Sequence, residues 1–141
     1  MQTSFFTALV AVLAAGASAS PLPLVQTVEL SQRDLFERDS RSGAMTYYQV
    51  GLGSCGQDDT GKDNLENIVA MSPDMVGTGG DSNCGRKIHI KGKDGQVVSA
   101  TVRDKCPSCS PGEIDVSEKV FKEIVGDLGV GRSKVSWTWA N

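Results

Sequence analysis

The stretch TVRDKCPSCSPGEIDVS, residues 101–117, joins three textures whose reading decides the fold. Thr101 to Asp104 closes a β-rich run, Cys106-Pro107-Ser108-Cys109 brings two thiols together, and Asp115 sits between Ile114 and Val116. A zinc clip would need a second close pair of ligands. The other thiols, Cys55 and Cys84, are far apart in sequence, and His89 is the single histidine. A thioredoxin-type redox pair would open a long helix that lowers the pKa of its first thiol. Here Cys109 runs instead into Ser110-Pro111-Gly112, which is turn chemistry. Staples remain. Four cysteines allow three connectivities, and the short-loop pair Cys106–Cys109 with the long-loop pair Cys55–Cys84 is the favoured one. By chain entropy the long loop would contribute about 3–4 kcal/mol.

The cysteine reading agrees with the N-terminus. Phe5 to Ala15 is an apolar run too short to span a bilayer, and Ala17-Ser18-Ala19 has the form of a signal-peptidase site. Residues 1–19 therefore read as a signal peptide and the product as secreted and extracellular, where disulfides persist. Residues 20–43, with Pro21, Pro23 and the mixed-charge run SQRDLFERDSRSG, read as a flexible leader or pro-segment. A short helix around Val28 to Phe36 is the alternative there. Residues 44–141 form the domain. No further long apolar segment calls for a membrane, and a net charge of -3 without a basic patch gives no nucleic-acid footprint. Nothing in the composition asks for a cofactor, a metal or more than a monomer.

Within 44–141 the pattern is mainly β. AMTYYQV is rich in β-formers and ends in the turn-rich GLGSCG. Asn67 to Met71 is a short buried strand. Ser72-Pro73-Asp74 marks a short helix start, with Ser72 as N-cap. RKIHIK alternates, Ile88 and Ile90 facing one way and Lys87, His89 and Lys91 the other. Asp94-Gly95 turns the chain into VVSATVRD. Ser117 reads as the N-cap of a helix with Val120, Phe121, Ile124 and Leu128 on one side and Gly126 as its stop. KVSWTWAN closes the chain with Val135, Trp137 and Trp139 on one face. About six short strands with little helix predict a small closed barrel.

In order and spacing, GAMTYY, GLGSCG, IVAMS, NCGRKIHI, VSATVRDKCPSC, EIDVS and VSWTW resemble the rare-lipoprotein-A-like, barwin-like and expansin-like proteins. The likeness is strongest to the single-domain fungal loosenins and covers Gly43 to Asn141. It implies a six-stranded double-psi β-barrel with one or two short helices, stapled by disulfides. It also implies a polysaccharide groove. Thr46 and Tyr48 match the Thr and Tyr that border that groove on the first strand. Asp104 matches the acid of the V-x-D run, Asp115 the general acid of related endoglucanases, and Trp137 a last-strand aromatic.

Each of these residues has a plainer reading. Asp115 would serve a helix start beside Ser117. Asp104 would hold loops by accepting backbone N–H groups. Tyr47 and Tyr48 are adjacent on a strand, so one faces the core and one the groove, and both are kept as groove candidates. Trp137 or Trp139 would pack in the core. His89 reads as a solvated strand residue. The Asp58–Glu66 cluster reads as a solvated loop, with a weak cation site as runner-up.

Glycoside hydrolysis usually needs two carboxylates facing one bond. The resemblance places a base on the first strand, yet Ala44 to Gln57 contains no Asp or Glu. Peptidoglycan-cleaving relatives carry a His where Met71 and Ser72 stand. The expectation is therefore a non-hydrolytic protein that binds and loosens cellulose or chitin, with Asp115 as a lone acid. Two alternatives are a binding protein, such as a protease inhibitor, effector or allergen type, and a weak glycan hydrolase or lytic enzyme. Exposed apolar residues on the loop Val76 to Ser82 would favour the protein-binding alternative.

Overall fold

The computed structural model describes residues 38–141. The expected signal peptide and residues 20–37 of the expected leader lie outside the described residues. Six strands are described: β1 (Arg41–Tyr48), β2 (Ile68–Met71), β3 (Lys87–Lys91), β4 (Val97–Lys105), β5 (Ile114–Ser117) and β6 (Ser133–Trp139). They close into one barrel in the order β1-β5-β2-β4-β3-β6. The β1–β5 and β2–β4 pairs are parallel, and the other pairs around the barrel are antiparallel. Two short helices, α1 (Pro73–Val76) and α2 (Glu118–Val125), flank it.

The strands form where apolar side chains alternate. On β3, Ile88 and Ile90 are buried while Lys87 is exposed and His89 half-buried. β4 alternates likewise, with Val98, Ala100 and Val102 inward. Gly95, at φ 80°, makes the β3–β4 turn, a backbone conformation open to Gly at no steric cost. Met45, Val69, Met71, Val116 and Val135 complete the interior, and α2 lays Val120 and Phe121 against it. Burial of this kind stabilises by roughly 25 cal/mol per Å² of apolar surface.

Both disulfides form, joining Cys55 to Cys84 and Cys106 to Cys109. Some local details depart from expectation. β1 begins at Arg41, ahead of Ala44. Ser72 and Ser117 occupy N-cap positions, but neither side chain caps its helix. The Ser117 hydroxyl donates instead to Glu66 O at 2.7 Å and accepts from Ile68 N at 3.3 Å, tying β5 to the segment entering β2. EIDVS, read above only for the acid Asp115 and the cap Ser117, contributes the four-residue β5.

Candidate functional site

Register builds the site. Thr46 on β1 pairs with Asp115 on β5, Asp115 with Ala70 on β2, and Ala70 with Asp104 on β4. Residues in register share a face of the sheet, and a register shift between Val69 and Ala70 carries Asp104 past the inward Val102 onto that face, so these four form a row across four adjacent strands. Each strand step is roughly 4.8 Å, which separates the Asp104 and Asp115 backbones by about 10 Å along the sheet. Ala70 between them is the short residue of the row. Met45 and Val116, one residue off in register, point into the core.

Thr46 Oγ1 donates to Asp115 Oδ1 at 2.8 Å. Burial pushes the Asp115 carboxyl above its ordinary range, opposed by the hydrogen bonds from Thr46 and the Val116 backbone. Tyr48 lies two residues along β1 from Thr46. Burial, then the charges of Asp104, Asp115, Asp59 and Asp63, hold its phenol far above the usual range. Tyr48 thus keeps its phenolic proton, and its hydroxyl can donate.

Asp104 Oδ1 accepts from the backbone N–H of Ser54 and of Lys105, each at 2.7 Å. That contact clamps the loop after β1 onto the end of β4. Gly53 is required there, because a Cβ would meet Arg103 O at 2.3 Å. Cys55 N donates to Arg103 O at 3.2 Å, and the Cys55–Cys84 disulfide completes the attachment.

Thr46, Tyr48, Asp104 and Asp115 therefore come together, whereas two other expected groove residues do not. Tyr47 points the opposite way from Tyr48 and packs on Phe121 with ring centroids 4.9 Å apart. Trp137 is 0% exposed, and its Nε1 donates to Gly112 O at 2.9 Å. A ring with no exposed face cannot stack on a sugar, so Trp137 is a core residue.

The acidic loop is more ordered than its composition implies. Asp59 is 2% exposed and pairs with Lys62 at 2.9 Å, while its Oδ2 has no hydrogen-bond partner. Asp63 Oδ1 accepts from Val50 N at 2.8 Å. Two of its acids therefore anchor the loop beside Tyr48. The sequence signals that could have found this are the Asp58-x-Thr60 turn, closed at 3.0 Å, and the i,i+3 spacing of Asp59 and Lys62. Among the described residues no group of three or more His, Cys, Asp or Glu could hold a metal ion. His89 Nδ1 lies 2.7 Å from Ser99 Oγ, on β3 and β4 away from this row.

A small open cavity of about 60 Å³ adjoins the row, lined by Ala44, Thr46, Asp115, the Cys106–Cys109 disulfide, Ser108 and Arg132. Arg132 Nη2 donates to Glu113 Oε1 at its edge. Val76, the large apolar residue of the loop Val76 to Ser82 whose exposure would have favoured protein binding, is buried. The large exposed apolar side chains include Leu52 and Leu65, in the segment between β1 and β2.

No family model matches the chain. The papain inhibitor of Streptomyces mobaraensis is 31% identical over 122 residues, which cover 84% of this chain and 76% of that protein. An Allergen Asp f 7 homolog from Arthroderma benhamiae is 34% identical over 87 residues, 60% of this chain but 29% of the relative. The chain thus spans under a third of that relative's length. Among solved structures, a Streptomyces papain inhibitor superposes with a TM-score of 0.63 at 27% identity, covering 72% of this chain and 94% of that one. A mutant Clavibacter michiganensis expansin, solved with cellohexaose, gives 0.57 at 25% identity, covering 72% of this chain and 50% of that one. The closed six-stranded order and these likenesses define a double-psi β-barrel. The chain belongs to the barwin/expansin/cerato-platanin-like group of such barrels, as a relative of the Streptomyces papain inhibitor.

Proposed function

We propose that this chain is a secreted, non-hydrolytic, expansin-like protein whose groove binds cell-wall polysaccharide and loosens it. The observation that carries the reading is the row Thr46–Asp115–Ala70–Asp104, in which half-buried Thr46, Asp115 and Asp104 flank the buried Ala70, with half-buried Tyr48 two residues along β1 from Thr46. A glycan chain in a crystalline wall is held by many weak hydrogen bonds, each worth about 1 kcal/mol net. A protein row that offers hydroxyl donors and carboxyl acceptors can replace those bonds one by one. Asp115, holding its proton to higher pH than an ordinary Asp, would donate to a glycosidic or hydroxyl oxygen. Completing hydrolysis would need an opposing carboxylate to activate water. Asp104 Oδ1 is committed to two backbone N–H groups, and Asp59 is buried against Lys62. Likeness to an expansin solved with cellohexaose supports a glucan-type ligand. Within the group the proposal extends to loosenin-like action, in which the barrel itself does the loosening. Two disulfides support an oxidising, extracellular setting.

The test is co-sedimentation with insoluble cellulose and chitin, wild type beside Asp115→Asn and Tyr48→Ala, with reducing sugar assayed in the same tubes. Binding that falls at least about tenfold in Tyr48→Ala, without sugar release, is the expected result; tenfold corresponds to about 1.4 kcal/mol. Sugar release abolished in Asp115→Asn would instead make the protein a hydrolase.

A second reading has its own observation. Leu52 is 75% exposed, and its segment is pinned by Asp59 N→Gly51 O at 3.0 Å and Gly53 N→Gln57 O at 3.0 Å. A preorganised loop with an apolar tip suits docking into a protease cleft, and the likeness to a papain inhibitor points to cysteine proteases. Papain inhibition that Leu52→Asp removes and Asp115→Asn leaves intact would establish it. No inhibition by the wild type would dismiss it.

A further inference from the structure

The two disulfides close loops of very different length. Cys55 and Cys84 are 29 residues apart in sequence, Cys106 and Cys109 only 3. In the chain-entropy account a cross-link stabilises through the loop it closes in the unfolded chain, so Cys106–Cys109 is the weaker staple. Their surroundings differ as well. Cys55 and Cys84 pack against the core. Cys106 and Cys109 both line the open cavity that begins at Thr46 and Asp115, and Pro107, Ser108 and Ser110 around them are exposed.

The two sulfurs of the short pair are not equivalent. Cys106 is 7% exposed, and its backbone N–H donates to Met71 O at 2.7 Å, which fixes it to the end of β2. Cys109 is half-buried in an exposed turn, its N–H donating back to Cys106 O at 3.1 Å. Cys109 is therefore the accessible partner and Cys106 the anchored one. Ser108 Oγ lies 3.6 Å from Cys106 Sγ. A disulfide sulfur carries no proton, so the hydroxyl is the donor, and it stabilises negative charge that builds on Cys106 as the S–S bond breaks. Arg132 adds a positive charge to the same cavity. The carboxylates there are engaged, Glu113 by Arg132 and by Ser110 N at 3.0 Å, Asp115 by Thr46 at 2.8 Å.

We propose that Cys106–Cys109 is a thiol–disulfide exchange site for a small thiol of the glutathione class, attacked at Cys109. The thiolate sulfur bonds to Cys109 Sγ. The Cys106–Cys109 bond breaks, its electron pair leaves on Cys106 Sγ, and that sulfur takes a proton from water. A second thiolate attacking the mixed disulfide releases the oxidised small thiol and leaves both cysteines reduced, so two thiols supply the two electrons that the protein disulfide accepts. Cys109 runs into a turn and opens no helix, so exchange draws on access and leaving-group stabilisation rather than on a helix dipole. Thr46 and Asp115 form another wall of the cavity, so a thiol mounted on Cys109 stands at the edge of the row.

The test needs no polysaccharide, and its outcome is independent of the groove reading. The oxidised full chain is incubated with reduced glutathione under native conditions, quenched with acid at intervals and alkylated. Peptide mass spectrometry then follows each cysteine, and circular dichroism follows the barrel. Cys106 and Cys109 are expected to open at least about tenfold faster than Cys55 and Cys84, since access governs the rate. The glutathione adduct should sit on Cys109, with the circular dichroism unchanged. Ser108→Ala, at an exposed position, should slow the first step about fivefold, as the loss of one hydrogen bond allows. Equal rates for the two pairs, or an adduct on Cys106, would overturn the assignment. Loss of the barrel signal in step with the opening of Cys106–Cys109 would make the pair a staple only. An unchanged rate in Ser108→Ala would remove the hydroxyl from the leaving-group role.

Discussion

Tyr47 and Tyr48 are the same residue one step apart on β1, and their surroundings are opposite. Tyr47 rests on Phe121 against the core, while Tyr48 lies where burial, and after it the charges of nearby carboxylates, raises the pKa of its phenol. The same division runs round the barrel wall, with Met45, Val116 and Trp137 on the inside and Thr46, Asp115 and Asp104 on the outside. Because strand side chains alternate with a period of two, a wall one residue thick separates what stabilises the barrel from what can touch a ligand. Inside, a substitution should cost stability and leave the groove's chemistry alone; outside, the reverse.

The largest effect that tests this division is on the inside. Trp137→Ala should destabilise the barrel by about 3–5 kcal/mol, as large aromatic truncations in cores do. Urea unfolding measures it, and a loss below about 1 kcal/mol would mean that the ring is not a core element. Next comes the tyrosine pair. Tyr47→Ala should lower the melting temperature by several degrees, at about 4–8 °C per kcal/mol for a domain of this size, with polysaccharide binding per folded molecule unchanged. Tyr48→Ala should weaken binding and barely move the melting temperature. Interchanged outcomes would invert the assignment of faces.

The smallest effect is electrostatic. Burial raises the Asp115 pKa, so the folded chain holds that proton more tightly than the unfolded chain. Its contribution is fully present below the unfolded carboxylate value, near 3.9, and is lost as pH rises through the folded value. Asp115→Asn removes that loss while its amide oxygen can still accept from Thr46. The melting-temperature difference, variant minus wild type, should therefore grow in the variant's favour between about pH 3 and about pH 7. A constant or shrinking difference would show that the carboxyl is well solvated.

How far these faces could be read in advance depended on length and locality. The β3–β4 hairpin was legible because alternation and Asp94-Gly95 are local signals, and β2 because it is a pure apolar run. β5 was not, because Ile114-Asp115-Val116-Ser117 is too short for a period and ends where a helix begins. Ser117 reads as a cap in any local window; only the tertiary position of Glu66 O draws its hydroxyl away. The groove residues Thr46, Tyr48, Asp104 and Asp115 were named through resemblance, with Tyr47 and Trp137 beside them. Alternation says that adjacent tyrosines part company, but it does not say which one meets Phe121. Trp137 was ambiguous because a sugar platform and a core ring use the same residue type. The burial of Asp59 was hidden by a composition that is usually solvated.

The strand order carries one more consequence, for how the molecule forms. Of the neighbouring pairs around the barrel, the β3–β4 pair is the hairpin, joined by a short turn. The Thr46–Asp115 contact joins residues 69 apart in sequence, and β1 also needs β6 as its other neighbour. A chain emerging from its N-terminus can therefore not close the barrel until its last strand is available. Loop-closure entropy must be met before the distant pairings repay it, which places this fold among the slow-folding topologies. The groove exists only once that closure is complete, so its ligand-binding signal should appear in the final kinetic phase of refolding, after the β3–β4 hairpin has formed.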